Sequence, residues 1–157
     1  MHPAIAVFQG PLIYGTVEFK TNQFQKVDIY INVSGLKSNQ LHGFHIHEYG
    51  DLSDGCNSAC AHYNPFNKNH GCPGSSERHV GDLGNIIGDL YGNAKYSMTD
   101  DVIELSGDYS IIGRSLIIHE DKDDCGTGTG NKQQESLKTG NAGKRIACAV
   151  IGYAKRC

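Results

Sequence analysis

Residues 27–33, Val-Asp-Ile-Tyr-Ile-Asn-Val, alternate without a fault and put four β-branched side chains on one face. Only an extended strand repeats its facing every second residue, so this run reads as a half-buried β-strand. Residues 16–20, Thr-Val-Glu-Phe-Lys, repeat the pattern over a shorter stretch. Further strands are predicted at 4–8, 43–47, 94–98, 102–106, 114–119 and 145–151, each bounded by Gly, Asn, Asp or Ser. No segment carries a sustained helical stripe. Eight short strands, each with a face to bury, predict an all-β antiparallel barrel or sandwich. The chain has 157 residues, room for one domain spanning 1–157, and its 20 glycines beside 4 prolines fit a fold with many turns.

Two stretches break the rhythm, residues 50–84 and 121–144. Loops of that length in a compact domain are usually functional or disordered, and the first is dense in groups that bind metals, so both are read as ordered loops carrying a site. The remaining composition excludes partners. A formal net charge of −3 argues against a nucleic-acid binder that lives on phosphate contacts. No apolar run approaches the roughly 20 residues of a membrane-spanning helix. The opening residues show neither the basic nor the apolar region of a signal peptide, so a cytoplasmic location is expected.

Eight histidines and six cysteines are the unusual counts. In a reducing compartment such cysteines point to metal binding, redox chemistry or an uncommon disulfide. His45 and His47 lie two apart in a predicted strand, so both imidazoles point the same way and make half a metal site. Alone, this pair reads as two polar residues on a solvent face. His62, His70 and His79 fall within eighteen residues and are followed by Asp82. Three imidazoles and a carboxylate make a tetrahedral zinc set, although imidazole suits copper as well. His119 closes an apolar strand, where a satisfied core histidine is the alternative reading.

Four segments together resemble the copper/zinc superoxide dismutase family. They are Gly43-Phe-His-Ile-His-Glu-Tyr-Gly-Asp51, Glu77-Arg-His-Val-Gly-Asp-Leu-Gly-Asn85, Gly113-Arg-Ser-Leu-Ile-Ile-His-Glu120 and Gly140-Asn-Ala-Gly-Lys-Arg-Ile-Ala-Cys148. They occur in the family's order over nearly the whole chain. The resemblance implies a flattened eight-stranded Greek-key barrel, with a zinc and disulfide loop at about 49–84 and an electrostatic loop at about 120–144. It also implies dismutation of superoxide to dioxygen and hydrogen peroxide, with one copper and one zinc per subunit.

Carried over residue by residue, the implied copper ligands are His45, His47, His62 and His119. The zinc ligands are His62, His70, His79 and Asp82, with His62 bridging the metals and shuttling a proton. Arg145 is implied to dock the superoxide anion, and Asp123 to orient His45 and His70. Glu135, Lys138 and Thr139 fall where the family lines its anion channel. His42 is expected to be structural, and His2 an exposed terminal residue.

The resemblance also implies a Cys56–Cys148 disulfide and a homodimer through a patch that includes Tyr49, Gly50, Ile112, Gly113, Val150, Gly152 and Tyr153. Lys144 and Ile146 stand where some relatives carry prolines linked to a copper chaperone, which implies maturation without obligatory chaperone help. Cys60 and Cys72 flank zinc-loop ligands, and a second disulfide between them is expected to clamp that loop. Cys125 and Cys157 are left without partners, as free thiols or for an intermolecular bond. The alternative readings are a copper/zinc storage module on the same scaffold and an interaction protein that borrows the dimer surface. The intact ligand set and Arg145 argue against both.

Overall fold

The computed structural model describes residues 2–156. Eight antiparallel strands run β1 (Ala4–Gln9), β2 (Tyr14–Thr21), β3 (Val27–Ser34), β4 (Leu41–His47), β5 (Asp82–Ile87), β6 (Ala94–Asp100), β7 (Ser115–His119) and β8 (Arg145–Tyr153). Their spatial order is β5-β4-β7-β8-β1-β2-β3-β6. β6 lies beside β3 while β4, β5 and β7 lie together, so the chain changes side after β3, β5 and β6, which makes the Greek key. β8 is the seam: residues 115–119 of β7 pair with its first part, and Ala4–Ala6 of β1 with its last three residues. The outer strands β5 and β6 meet through a side-chain bond, Ile87 N–H to Tyr96 Oη at 3.0 Å. The barrel is therefore nearly closed.

The alternation read from the sequence is the inside-outside pattern of β1 to β3. Val27, Ile29, Ile31 and Val33 are buried, and they share the core with Phe19, Phe44, Ile46, Leu116 and Ile151. β2 extends past the predicted 16–20 because its ladder with β3 is continuous from Tyr14 to Thr21.

Three assignments differ from the sequence reading. Residues 102–106 are not a strand: Asp100 Oδ1 accepts the N–H groups of Val102 and Ile103 at 2.8 and 2.9 Å, and the chain bends there. The missing strand is β5, which lay partly inside the supposed loop. It shows no alternation because Asp82, Leu83, Gly84 and Ile86 are all buried. A seven-residue helix, α1 (Gln133–Thr139), occupies the second loop. Among its residues only Ser136 is buried, so the sequence carries no apolar stripe to reveal it.

Candidate metal centre

The two strands that carry histidines, β4 and β7, are buried on both faces. Phe44 and Ile46 point into the core, so His45 and His47 point outward beneath the two long loops. The β4–β5 ladder shifts register between Gly43 and His45, and the β7–β8 ladder between Ile118 and His119. Such irregularities re-aim the neighbouring side chains. Gly43 makes room for this, since a Cβ there would sit 2.6 Å from Ala142 Cβ and 3.2 Å from His45 Cε1. The first loop then returns along β4. Tyr63 N–H donates to Ile46 O and Glu48 N–H to Ala61 O, which sets His62 opposite His47.

In His45, His47, His70 and His119 one nitrogen is held by a protein oxygen, which turns the other toward the site. His47 Nδ1–H donates to Cys60 O at 2.7 Å and His119 Nδ1–H to Gly143 O at 3.1 Å. His45 Nε2–H and His70 Nε2–H donate to the two oxygens of Asp123, at 2.6 and 2.8 Å. The free atoms converge. His47 Nε2 and His119 Nε2 face each other at 3.3 Å, an arrangement of two acceptors that suits a cation between them. The Nδ1 atoms of His62, His70 and His79 lie 2.9, 3.0 and 3.1 Å from Asp82 Oδ1. Asp82 Oδ2 accepts the backbone N–H groups of Gly71 and His79.

Two groups of mutually close donor atoms result. One is His45, His47, His62 and His119; the other is His45, His62, His70 and Asp82. His79 joins the second through its Nδ1, 3.2 Å from His62 Nδ1. The resemblance implies His79 in the second group where the donor distances place His45, which also holds Asp123 through Nε2. His62 offers Nδ1 to one group and Nε2 to the other. Three buried nitrogens, His45 Nδ1, His62 Nε2 and His70 Nδ1, have no hydrogen-bond partner. Buried polar atoms rarely go unpaired, and these are lone pairs that copper and zinc would take. The residues present fit both ions.

Burial keeps the first group neutral. It pushes His45 and His47 well below the ordinary imidazole value, with His62 adding to the effect, and lowers His119 to about 4. Burial also lowers His62, against the opposing pull of Asp82. At His70 burial is overridden. The Asp123 hydrogen bond and the Asp82 carboxylate beside it raise His70 to about 9, and the imidazoles of His62, His70 and His79 hold the Asp82 carboxyl far below the usual range.

An open cavity of about 600 Å³ leads to His47, His62 and His119, and Arg145, Lys138, Thr139 and Glu135 line it. Arg145 is half-buried and donates to Cys56 O at 2.8 Å and Cys60 O at 2.5 Å. Burial lowers its pKa from the ordinary arginine value. Glu135 accepts from Thr139 Oγ1 at 2.8 Å along α1. His42 is buried beside the site and bonds the His119 carbonyl at 2.9 Å, whereas His2 is exposed. Cys60 and Asn57 hold the turn through which Cys56 bonds Cys148.

The expected Cys60–Cys72 bond is not formed. Cys72 bonds Cys125, and Cys60 is a free, exposed thiol. The cause is position. Cys60 ends the 57–59 turn on the Arg145 side, whereas Cys72 and Cys125 each follow by two residues a partner in the His70–Asp123 bond. The second disulfide therefore joins the two loops instead of closing one. Cys157 lies outside the described residues.

Residues that the sequence reading missed support the second group. Arg78 is buried, paired to Asp100 at 2.7 Å, and donates to the carbonyls of His79 and Val80. Asn85 exchanges two hydrogen bonds with the Asp123 backbone. Gly140, at φ +71°, is pressed against Asp123 and His70 so closely that a Cβ has no space. Nothing in the spacing of Arg78 or Asn85 distinguishes them from surface residues.

Barrel and paired donor groups together define a two-metal protein on a Greek-key scaffold. The family model described as Copper/zinc superoxide dismutase (SODC) matches residues 13–151. A copper-zinc superoxide dismutase of Paramecium bursaria Chlorella virus 1 is 61% identical over 152 residues, 97% of this chain and 79% of the relative. An extracellular copper-zinc superoxide dismutase of Brugia pahangi is 50% identical over 142 residues, 90% of this chain and 70% of the relative. The crystal structure of the clock protein EA4 superimposes with a TM-score of 0.92 at 44% identity, covering 98% of this chain and 95% of that one. The chain belongs to the copper/zinc superoxide dismutase family.

Proposed function

We propose that this protein disproportionates superoxide: two superoxide anions and two protons give one dioxygen and one hydrogen peroxide. The observation that carries the reading is the pair of donor groups sharing His62 at the floor of a cavity lined by Arg145. His45, His47, His62 and His119 hold copper; His62, His70, His79 and Asp82 hold zinc. Bound copper supplies a one-electron couple, and zinc, without redox chemistry, holds the loop.

The remaining steps belong to the chain. Arg145 docks the small anion in the cavity, anchored by the Cys56 and Cys60 carbonyls so that its charge stays in place. Lys138 adds positive potential at the rim although the net charge is negative, and the Glu135–Thr139 bond fixes the helix edge beside it. His62 takes up a proton at Nε2 and gives it to the departing peroxide. Asp123 keeps His45 and His70 in the tautomers that bind metal.

Two finer readings belong to the same proposal. The chain acts as a homodimer of 1–157 units through Tyr49, Val150 and Tyr153, exposed at 50%, 41% and 64% beside the Gly50–Gly113 contact and Ile112. It matures without an obligatory copper chaperone, with Lys144 and Ile146 exposed on either side of Arg145. No helix among the described residues is long and apolar enough to cross a membrane. A cytoplasmic location is retained as the proposal, although one relative is named as extracellular; fractionation of the producing cell tests it.

Superoxide decay followed by pulse radiolysis, on protein loaded with copper and zinc, tests the activity beside a His119→Ala control. Acceleration by the parent that vanishes in the control is expected. A fully loaded parent that leaves the decay unchanged rules out dismutation and favours metal storage.

A further inference from the structure

The Cys72–Cys125 bond joins two loops whose cysteines are 53 residues apart in sequence. It closes a small ring through His70, Gly71, Cys72, Cys125, Asp124 and Asp123, completed by the 2.8 Å hydrogen bond from His70 Nε2 to Asp123 Oδ1. That same oxygen accepts the Cys125 backbone N–H at 2.7 Å, and the other carboxylate oxygen holds His45 at 2.6 Å. A shift of residue 125 therefore acts on the atom that orients His70, and through Asp123 on His45. The ring is tight: a Cβ at Gly126 would lie 2.6 Å from the His70 carbonyl. Its links are covalent bonds and hydrogen bonds of the chain, and none needs an ion. By contrast His62, His70 and His79 converge on one oxygen of Asp82, an arrangement that zinc would hold. The Cys56–Cys148 bond lies elsewhere, beside Arg145.

We propose that the Cys72–Cys125 disulfide positions Asp123 against His70 and His45 whether or not zinc is present, so that the copper group keeps its geometry without zinc. This rests on the metal assignment above. The disulfide acts through Asp123, and His45 is where its effect reaches copper.

The test is the electron paramagnetic resonance of Cu(II) in the parent and in a Cys72→Ser/Cys125→Ser variant, each with copper alone and with copper plus zinc. Thiol counting establishes that Cys56–Cys148 remains closed. The parent is expected to give the same spectrum with and without zinc. The variant is expected to change its spectrum when zinc is absent and to regain the parent's when zinc is added, with zinc affinity lowered by about 10–100-fold. A crosslink that merely stabilises the fold would leave the variant's copper-only spectrum like the parent's, and that result overturns the proposal. A parent spectrum that shifts on zinc omission as far as the variant's overturns it too. Copper without nitrogen hyperfine coupling in the parent would instead overturn the metal assignment, and the clamp with it. Should the variant not fold, hydrogen exchange of the metal-free parent decides. Protection of the His70 and Cys125 amides supports the clamp; exchange at the unfolded-chain rate overturns it.

Discussion

β3 and β4 are nearly equal in length and belong to the same barrel, yet they are buried in different ways. β3 alternates between core and outside, with Tyr30 and Asn32 exposed between buried neighbours. In β4 all but the first residue are buried. The core accounts for one face of each strand. The other face of β4 is covered by the two long loops and not by a second sheet, so its side chains can be polar and still be dry. That is the setting in which imidazoles stay neutral and keep lone pairs for metals. One half of the barrel therefore serves mainly as a packed support, and the other is a support with a site built over it.

The comparison predicts separable failures. The largest effect is expected from His47→Ala, which removes a donor from the first group but only one hydrogen bond from the fold. Catalysed superoxide decay should fall to background while the metal-free variant loses only about 1 kcal/mol in urea unfolding. Phe19→Ala, in the support half, should do the reverse. It should cost about 4 kcal/mol, with the Cu(II) spectrum of the folded fraction unchanged. A Phe19 variant with an altered copper spectrum would mean that the halves are coupled through the core.

This division also explains what could be read from the sequence. Half-buried strands advertise themselves, so residues 27–33 and 16–20 were legible from alternation alone. β5 was not, because a strand buried on both faces has no period. The members of the two donor groups were legible because histidines are few enough to stand out, and the family resemblance grouped them with Asp82. The partner of Cys72 was not. Loop-to-loop contacts depend on how two loops fold over the sheet, and Cys60, nearer in sequence, is turned to the Arg145 side. Arg78 stayed hidden for a similar reason: its partner Asp100 ends β6, 22 residues away.

Arg78 is where the two halves meet, since it ties the zinc loop to the end of a support strand. Arg78→Ala should cost about 3 kcal/mol by leaving Asp100 buried and unpaired. It should also weaken zinc binding, read by chelator competition, because the His79 carbonyl loses its donor. Loss of stability with zinc affinity intact would show that Arg78 serves the barrel alone.

A pH dependence should come from the covered half. In the metal-free protein His45, His47, His62 and His119 are lowered by burial, His119 to about 4. Their contribution is present above the ordinary value near 6.5 and is lost as pH falls from there toward the folded values, because the unfolded chain takes up protons first. His70 works in the opposite sense. Raised to about 9, it contributes fully below about 6.5 and loses its contribution as pH rises through 9. Denaturation midpoints of the metal-free protein should therefore decline on both sides of neutrality. A profile flat from pH 7 to 4 would show that these imidazoles are not dry.

The smallest effect is expected on the open face of β3. Tyr30 is 47% exposed, and its neighbours across the ladder are Glu18 and Ser97. Tyr30→Thr keeps a strand-favouring side chain and removes surface that the core does not use, so stability should change by about 0.5 kcal/mol or less. Ile46→Thr, a polar substitution within β4, places a hydroxyl in the core beside Phe44 and should cost several times as much. Equal costs at the two positions would mean that the outer face of β3 is covered too, by a partner surface that the isolated chain lacks. Repeating the Tyr30 measurement over a range of protein concentrations separates that case, because a cost arising from association grows with the fraction assembled.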